Sequence, residues 1–430
     1  MKKTYIYISI LLFGVLSLKP AAAQDRAYVN KVVKQLSSPK MHGRASFKNG
    51  DHIAAKYLSK EMKKAGLTAF SPDYMQEYNY TINTFSSKMD VMVDGNRLVP
   101  GEDYVVSPSM ASLKQSYQLV WLPDTLTQVR SVYRFADTTA LAGKMLVVPE
   151  GVRNAYRSGI KGVPAMIQTV DGNMWWHVSR QQLETGNAAL KIKKEKLPQN
   201  TKTISLDVES KLIIERPAYN LSGFVRGSVE PDSFMIFVAH YDHLGRMGRK
   251  TYFPGASDNA SGSAAVLDLA RYYATNKEKA YYTMVFVLVS GEEAGLLGSR
   301  YFAENPPFPL EKAKFVINFD MVGTGSEGLS VVNGKVFPEA FALFDVLNIK
   351  NNFFPNLRAG GESCNSDHCP FYEKGVPAVF LFTRGKENQH YHNIYDTHSQ
   401  LPFTAYEQLF GIVTGFVDEL KNMPFFKKEL

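Results

Sequence analysis

The sequence predicts an α/β fold built on a mostly parallel sheet that is covered on both faces. Three observations carry this. Short apolar runs of strand length recur through the second half of the chain, helix-forming segments alternate with them, and polar residues gather where the runs end. No internal repeat or low-complexity tract interrupts the pattern.

The elements follow in chain order. MKKTYIYISILLFGVLSLKPAAAQ (1–24) has a basic start, an apolar stretch and a small-residue site, the three parts of an export signal cleaved near Ala23-Gln24. Its apolar run is shorter than the ~20 residues that span a bilayer. The mature chain of 407 residues is thus expected to be exported, periplasmic or extracellular, without stable membrane insertion. HIAAKYLSKEMKKAGL (52–67) reads as an amphipathic helix with Ile53, Tyr57, Leu58 and Met62 on one face and Gly66 as its stop.

Residues 88–215 differ in character and read as a smaller domain inserted into a larger one formed by 24–87 and 216–430. KMLVV (144–148) and VPAMIQT (163–169) are strand candidates, RNAYRSGI (153–160) is a short helix candidate, and all three tryptophans lie in this segment. From 216 the rhythm becomes regular. FMIFVAH (234–240), YTMVFVLVS (282–290), FVINFD (315–320) and PAVFLFT (377–383) read as buried strands. ASGSAAVLDLARYYA (260–274) and AGLLGSRYFA (294–303) read as the helices between them.

Charge and cysteine usage exclude some functions. The formal charge of +8 falls to +5 once Lys2, Lys3 and Lys19 leave with the signal. The densest basic run, KIKKEK (191–196), has few aromatic residues interleaved, which argues for a solvated face and against nucleic-acid binding. Two cysteines, Cys364 and Cys369, make no disulfide scaffold, and their spacing alone leaves a bond and two free thiols both open.

The chemistry gathers at the strand ends. His240 and Asp242 close the first run, and Asp258 sits in the loop before the helix that follows. Glu292 and Glu293 follow the second, Asp320 ends the third, and His392 and Asp396 lie beyond the last. In an open α/β sheet ligands bind outside the carboxyl ends of the strands. Each residue alone has a plain structural reading, such as a helix cap for Asp258. Together, so many carboxylates converging without a cation would repel one another. Two histidines and three carboxylates suit zinc, and five ligands suit two ions sharing a bridging carboxylate better than one. A glutamate beside a ligating glutamate then serves as a base.

HYDHLG, GASDNASG, SGEEAGLLGS, NFDMVG, SDHCPFYEKGVPAVFLF and HNIYDT, with SSPKMHGRASFKNGDHIAAKYLSKEMKKAGL near the start, strongly resemble the M28 zinc peptidases. The resemblance implies a three-layer α/β/α zinc-exopeptidase fold with a mostly parallel mixed sheet, and two Zn2+ per chain. It makes Asp258 the bridging ligand, with His240 and Asp320 completing one zinc and Glu293 and His392 the other. Glu292 becomes the general base, and Asp242 a carboxylate that orients His240. Family spacing selects His392 over His390 and His398, and puts His368 near the site without ligating. The segment LAGKMLVVPEG with NAYRSGIKGVPAMIQ is similar to a protease-associated domain that covers a cleft. The implied activity is an aminopeptidase acting on a peptide or protein. A mono-zinc glutaminyl-cyclase-like transferase and a non-catalytic binding module are the alternatives. Side-chain preference and oligomeric state are open.

Overall fold

The computed structural model describes residues 24–423 except 124, 127, 153–162, 185 and 186. The export signal and the helix expected at 153–160 lie outside the described residues.

Among the described residues the larger sheet has nine strands. Tyr282–Val289, Glu230–His240, Ala313–Phe319 and Ala378–Arg384 lie side by side in that order, all parallel. Lys211–Val225 borders one side antiparallel, and Gly328–Val332 the other. The sheet is therefore parallel where it is most buried and mixed at its flanks. Residues 235–239 and 284–289 are fully buried, which is why these strands read as continuous apolar runs and not as alternating ones.

Two helical layers cover the sheet. Phe237 stacks against Tyr273 of helix Gly262–Thr275 on one face. Phe234 points the other way and meets Phe308, which packs on Phe302 of helix Leu297–Glu304. Full burial of a phenylalanine stabilises by roughly 1.5–3 kcal/mol, so such contacts fix both layers to the sheet. Helices Arg26–Leu36 and Gly50–Ala65 pack with Gly262–Thr275. The second of these buries Ala54, Ala55, Leu58 and Met62, while Ile53 is 39% exposed. That corrects the expected face: the buried row runs through Asp51, Ala54, Ala55, Leu58 and Met62, with alanines where the helix approaches its neighbours. Gly66 ends it in the left-handed region, at φ +81°.

Among the described residues, Met89–Val93 to Thr203–Val208 bound a separate eight-stranded sheet with its own apolar core. KMLVV forms the strand Lys144–Val148, and Ala165–Val170 lies parallel beside it. Leu244, Met247 and Phe253, from the loop after Glu230–His240, are buried in this second core. The inserted sheet thus rests on a loop that leaves the larger sheet at its functional edge. Cys364 and Cys369 are joined in a disulfide.

Candidate metal centre

Three turns bring the polar residues together. Strand Glu230–His240 ends at His240 and runs directly into Asp242. After Tyr282–Val289 the chain turns at Gly291, where φ is +70° and a Cβ would stand 2.5 Å from the Tyr78 hydroxyl. The glutamate pair occupies that turn, so the helix expected from 294 begins only at Leu297. Asp258 sits in a tight turn before Gly262–Thr275 and caps no helix. Gly255 opens that turn at φ +60°, where a Cβ would overlap the Asp258 carbonyl.

The side chains then meet. His240 Nε2 lies 3.3 Å from Asp258 Oδ1, 3.5 Å from Asp320 Oδ2 and 4.0 Å from Glu292 Oε2. His392 Nε2 lies 2.9 Å from Asp258 Oδ2 and 3.1 Å from Glu293 Oε2. The two oxygens of Asp258 therefore face two different imidazoles. Glu293 faces one of them, whereas Glu292 stands off at the edge of the group. Asp242 lies 3.5 Å from His240 Nδ1, and its oxygens accept the backbone N–H groups of Glu292 and Glu293.

Of the other histidines, His398 bonds Asn30, and His390 packs beside Tyr395. His368 is fully buried on the Ser363 carbonyl, and burial holds its imidazole down at about 4. None of these three is among the groups that converge on Asp258.

Burial works against charge here, and the charged partners decide the outcome. Burial raises Asp258, yet hydrogen bonds from His240 and His392 hold it well below the usual range. Glu293 is likewise held at about 2, against its own burial, chiefly by His392. Burial pushes Glu292 well up, with Asp367 and Glu293 adding to it. Against burial, Asp320 and Glu292 raise His240, and Glu293 and Asp258 raise His392. The two neighbouring glutamates are thus driven in opposite directions by their surroundings.

The donor set fits zinc. His240, Asp258 and Asp320 each offer one ligand atom within 4.8 Å of the others, and so do His243, Asp258 and Glu293. Asp320 Oδ1 is buried without a hydrogen-bond partner. Buried carboxylate oxygens with no donor are costly unless a cation faces them. Mixed imidazole and carboxylate donors are those zinc takes.

Several residues escaped sequence reasoning. Arg44 is fully buried and donates to the carbonyls of Leu36, Tyr241, Pro254, Gly255 and Asp258. It pins the chain just after His240 to the turn that carries Asp258. Asn259 donates to Phe319 O and accepts from Met321 N–H, tying the Asp258 turn to the strand end at Asp320. His243 Nδ1 donates to Glu293 Oε1 at 2.7 Å, the oxygen that does not face His392. Ser366 Oγ donates to Asp320 Oδ2 at 2.7 Å. Burial raises Asp367 to about 7, with nearby Asp242 and Asp320 adding to it. His392 Nδ1 lies 2.9 Å from Trp176 O, in the inserted segment. His243 and Asp367 stand inside quoted motifs, so proximity in sequence was the available signal. Nothing in sequence marks an arginine as buried or an insertion as touching a distant histidine.

Comparison with known proteins places this edge. Residues 220–417 match the model of peptidase family M28. A probable zinc metalloprotease of Pyricularia oryzae is 37% identical over 113 residues, 25% of this chain, which spans only 22% of that protein's length. Aminopeptidase YwaD of Bacillus subtilis is 22% identical over 462 aligned positions, covering 97% of this chain and 94% of its own. The crystal structure of a peptidase M28 precursor from Shewanella amazonensis superposes with a TM-score of 0.70 at 18% identity. It covers 95% of this chain and 96% of that one, a likeness of fold.

Proposed function

Because residues 220–417 match the model of peptidase family M28, we propose that this chain is an exported zinc aminopeptidase that removes N-terminal residues from peptides. One observation carries the reading. Asp258 presents its two oxygens to His240 and His392, while Glu292, next to Glu293, is left outside that contact. Asp258, His240 and Asp320 hold one zinc in this reading, and Asp258, Glu293 and His392 the second. Zinc bound there supplies Lewis acidity, polarising a carbonyl and making water more acidic.

The chain's own residues do the rest. Glu292 takes a proton from the attacking water, and its raised affinity for protons suits a group that must then return one to the departing amine. Asp242 keeps His240 in place through Nδ1 and fixes the glutamate turn from beneath. His243 turns the Glu293 carboxylate so that its other oxygen faces His392. Residues 88–215 act as an inserted protease-associated-like domain that borders the cleft. The complete donor set favours this reading over a single-zinc cyclase. Hydrolysis of amino-acyl p-nitroanilides before and after chelation tests it. Activity lost with zinc and restored by zinc is expected, and a chelator-insensitive or absent activity rejects it.

A further inference from the structure

One ring nitrogen of His392 is held by the segment that joins Ala165–Val170 to Ala188–Lys193 in the inserted sheet. That nitrogen, Nδ1, lies 2.9 Å from the Trp176 carbonyl, and the His392 carbonyl accepts the Trp176 N–H at 3.0 Å. The bonds are reciprocal, and the residues stand 216 positions apart. A carbonyl only accepts, so Nδ1 of His392 carries the proton when this bond forms. In the neutral imidazole that a metal requires, this leaves the lone pair on Nε2, the atom that faces Asp258 and Glu293. His177 Nδ1 lies 3.1 Å from the same nitrogen, with its ring edge-on to His392 at 4.8 Å.

The Trp176 backbone is itself anchored. Its indole is 2% exposed, stacks on Phe253 at 5.0 Å and meets Phe85 edge-on at 6.0 Å. Its Nε1–H donates to Val106 O within the inserted sheet. Phe253 comes from the loop that leads into the Asp258 turn. The side chain of Trp176 thus bolts the inserted sheet to the catalytic loops, while its backbone sets the ring of His392.

We propose that Trp176, with His177 beside it, is the positioning element of His392, so that the second zinc position is completed only when the inserted sheet is docked. The proposal rests on the di-zinc reading and adds that the insertion builds part of the site. By linkage, zinc in that position must in turn stabilise the docked sheet.

Two measurements on the full chain test it. In the first, zinc affinity is read by competition with a chromophoric chelator for wild type, Trp176→Leu, His177→Ala and His392→Ala. Loss of an outer hydrogen bond to a ligating imidazole costs about 10–100-fold in affinity. Trp176→Leu is expected to weaken one zinc by that factor and leave the other unchanged, and His177→Ala to shift the same zinc in the same direction. His392→Ala is expected to abolish that zinc. In the second, hydrogen exchange of wild type is followed by mass spectrometry over the peptide containing Trp176, with zinc and after chelation. Slower exchange with zinc is expected, and this arm needs no variant to fold. Unchanged zinc affinity in a folded Trp176→Leu protein, or exchange at Trp176 indifferent to zinc, overturns the proposal while wild type still binds two ions. A wild type that binds none overturns the di-zinc reading instead.

Discussion

Asp242 Oδ1 accepts the backbone N–H of Glu292 at 3.2 Å, joining the end of the Glu230–His240 strand to the turn that carries both glutamates. The same carboxylate lies 3.5 Å from His240 Nδ1. One side chain therefore sets the His240 imidazole and the turn that carries both glutamates together. Asp242→Ala is expected to lower zinc affinity by about 10–100-fold, as loss of such a partner does elsewhere. Chelator competition checks this, and unchanged affinity contradicts the role given to Asp242.

Glu292 and Glu293 separate in the same experiment. Glu292→Gln keeps shape and volume and removes the carboxylate proposed as base, so kcat is expected to fall about 10^2–10^4-fold with zinc content intact. Glu293→Gln removes a carboxylate that faces His392, and zinc is expected to be lost. Elemental analysis beside steady-state kinetics distinguishes them. The reverse pattern would exchange the two assignments.

Zinc and protons compete at this edge. Without zinc, His240 and His392 bind protons well above their ordinary 6.5, so both are charged at neutral pH. A ligating imidazole must be neutral, so zinc binding is expected to release protons, and affinity to rise with pH. Calorimetry at one pH in buffers of different ionisation enthalpy measures the number. The sign for stability follows. A histidine whose folded pKa is raised stabilises the zinc-free protein fully below 6.5, and that contribution disappears as pH rises through the folded value. The zinc-free protein is therefore expected to lose stability above neutrality, where the zinc-loaded protein does not.

Arg44 offers a test of architecture. Its five acceptors are all backbone carbonyls, so Arg44→Met strips donors from Leu36, Tyr241, Pro254, Gly255 and Asp258 at once. Each buried carbonyl left unpaired costs about 1–3 kcal/mol, and the loss is expected to exceed about 3 kcal/mol. Denaturant unfolding measures it. Arg44→Lys reaches fewer acceptors and is expected to fall between wild type and Arg44→Met.

Much of the larger sheet was legible because its strands are buried on both faces. FMIFVAH and YTMVFVLVS are almost continuous apolar runs, and His240 and the glutamate pair stand where the apolar residues stop. The N-terminal helix was legible in extent but not in face, since Ile53 is apolar yet exposed while Ala54 and Ala55 take the contact. Small residues at a close helix approach leave little trace in hydrophobic spacing. Arg44, Asn259 and Trp176 were not legible for a different reason. Each acts by hydrogen bonds to or from backbone groups brought close only by folding, and a backbone carbonyl has no signature in sequence. The disulfide was undecided until Cys364 and Cys369 were placed side by side.

The most direct test is the zinc content of purified chain, measured on the same sample as hydrolysis of an amino-acyl p-nitroanilide, through removal and return of the metal. Two zinc ions per chain, with turnover that vanishes on chelation and returns when both are restored, is the expected result. Full turnover with a single ion, or a chain that takes up no zinc at all, would contradict the paired centre built around Asp258.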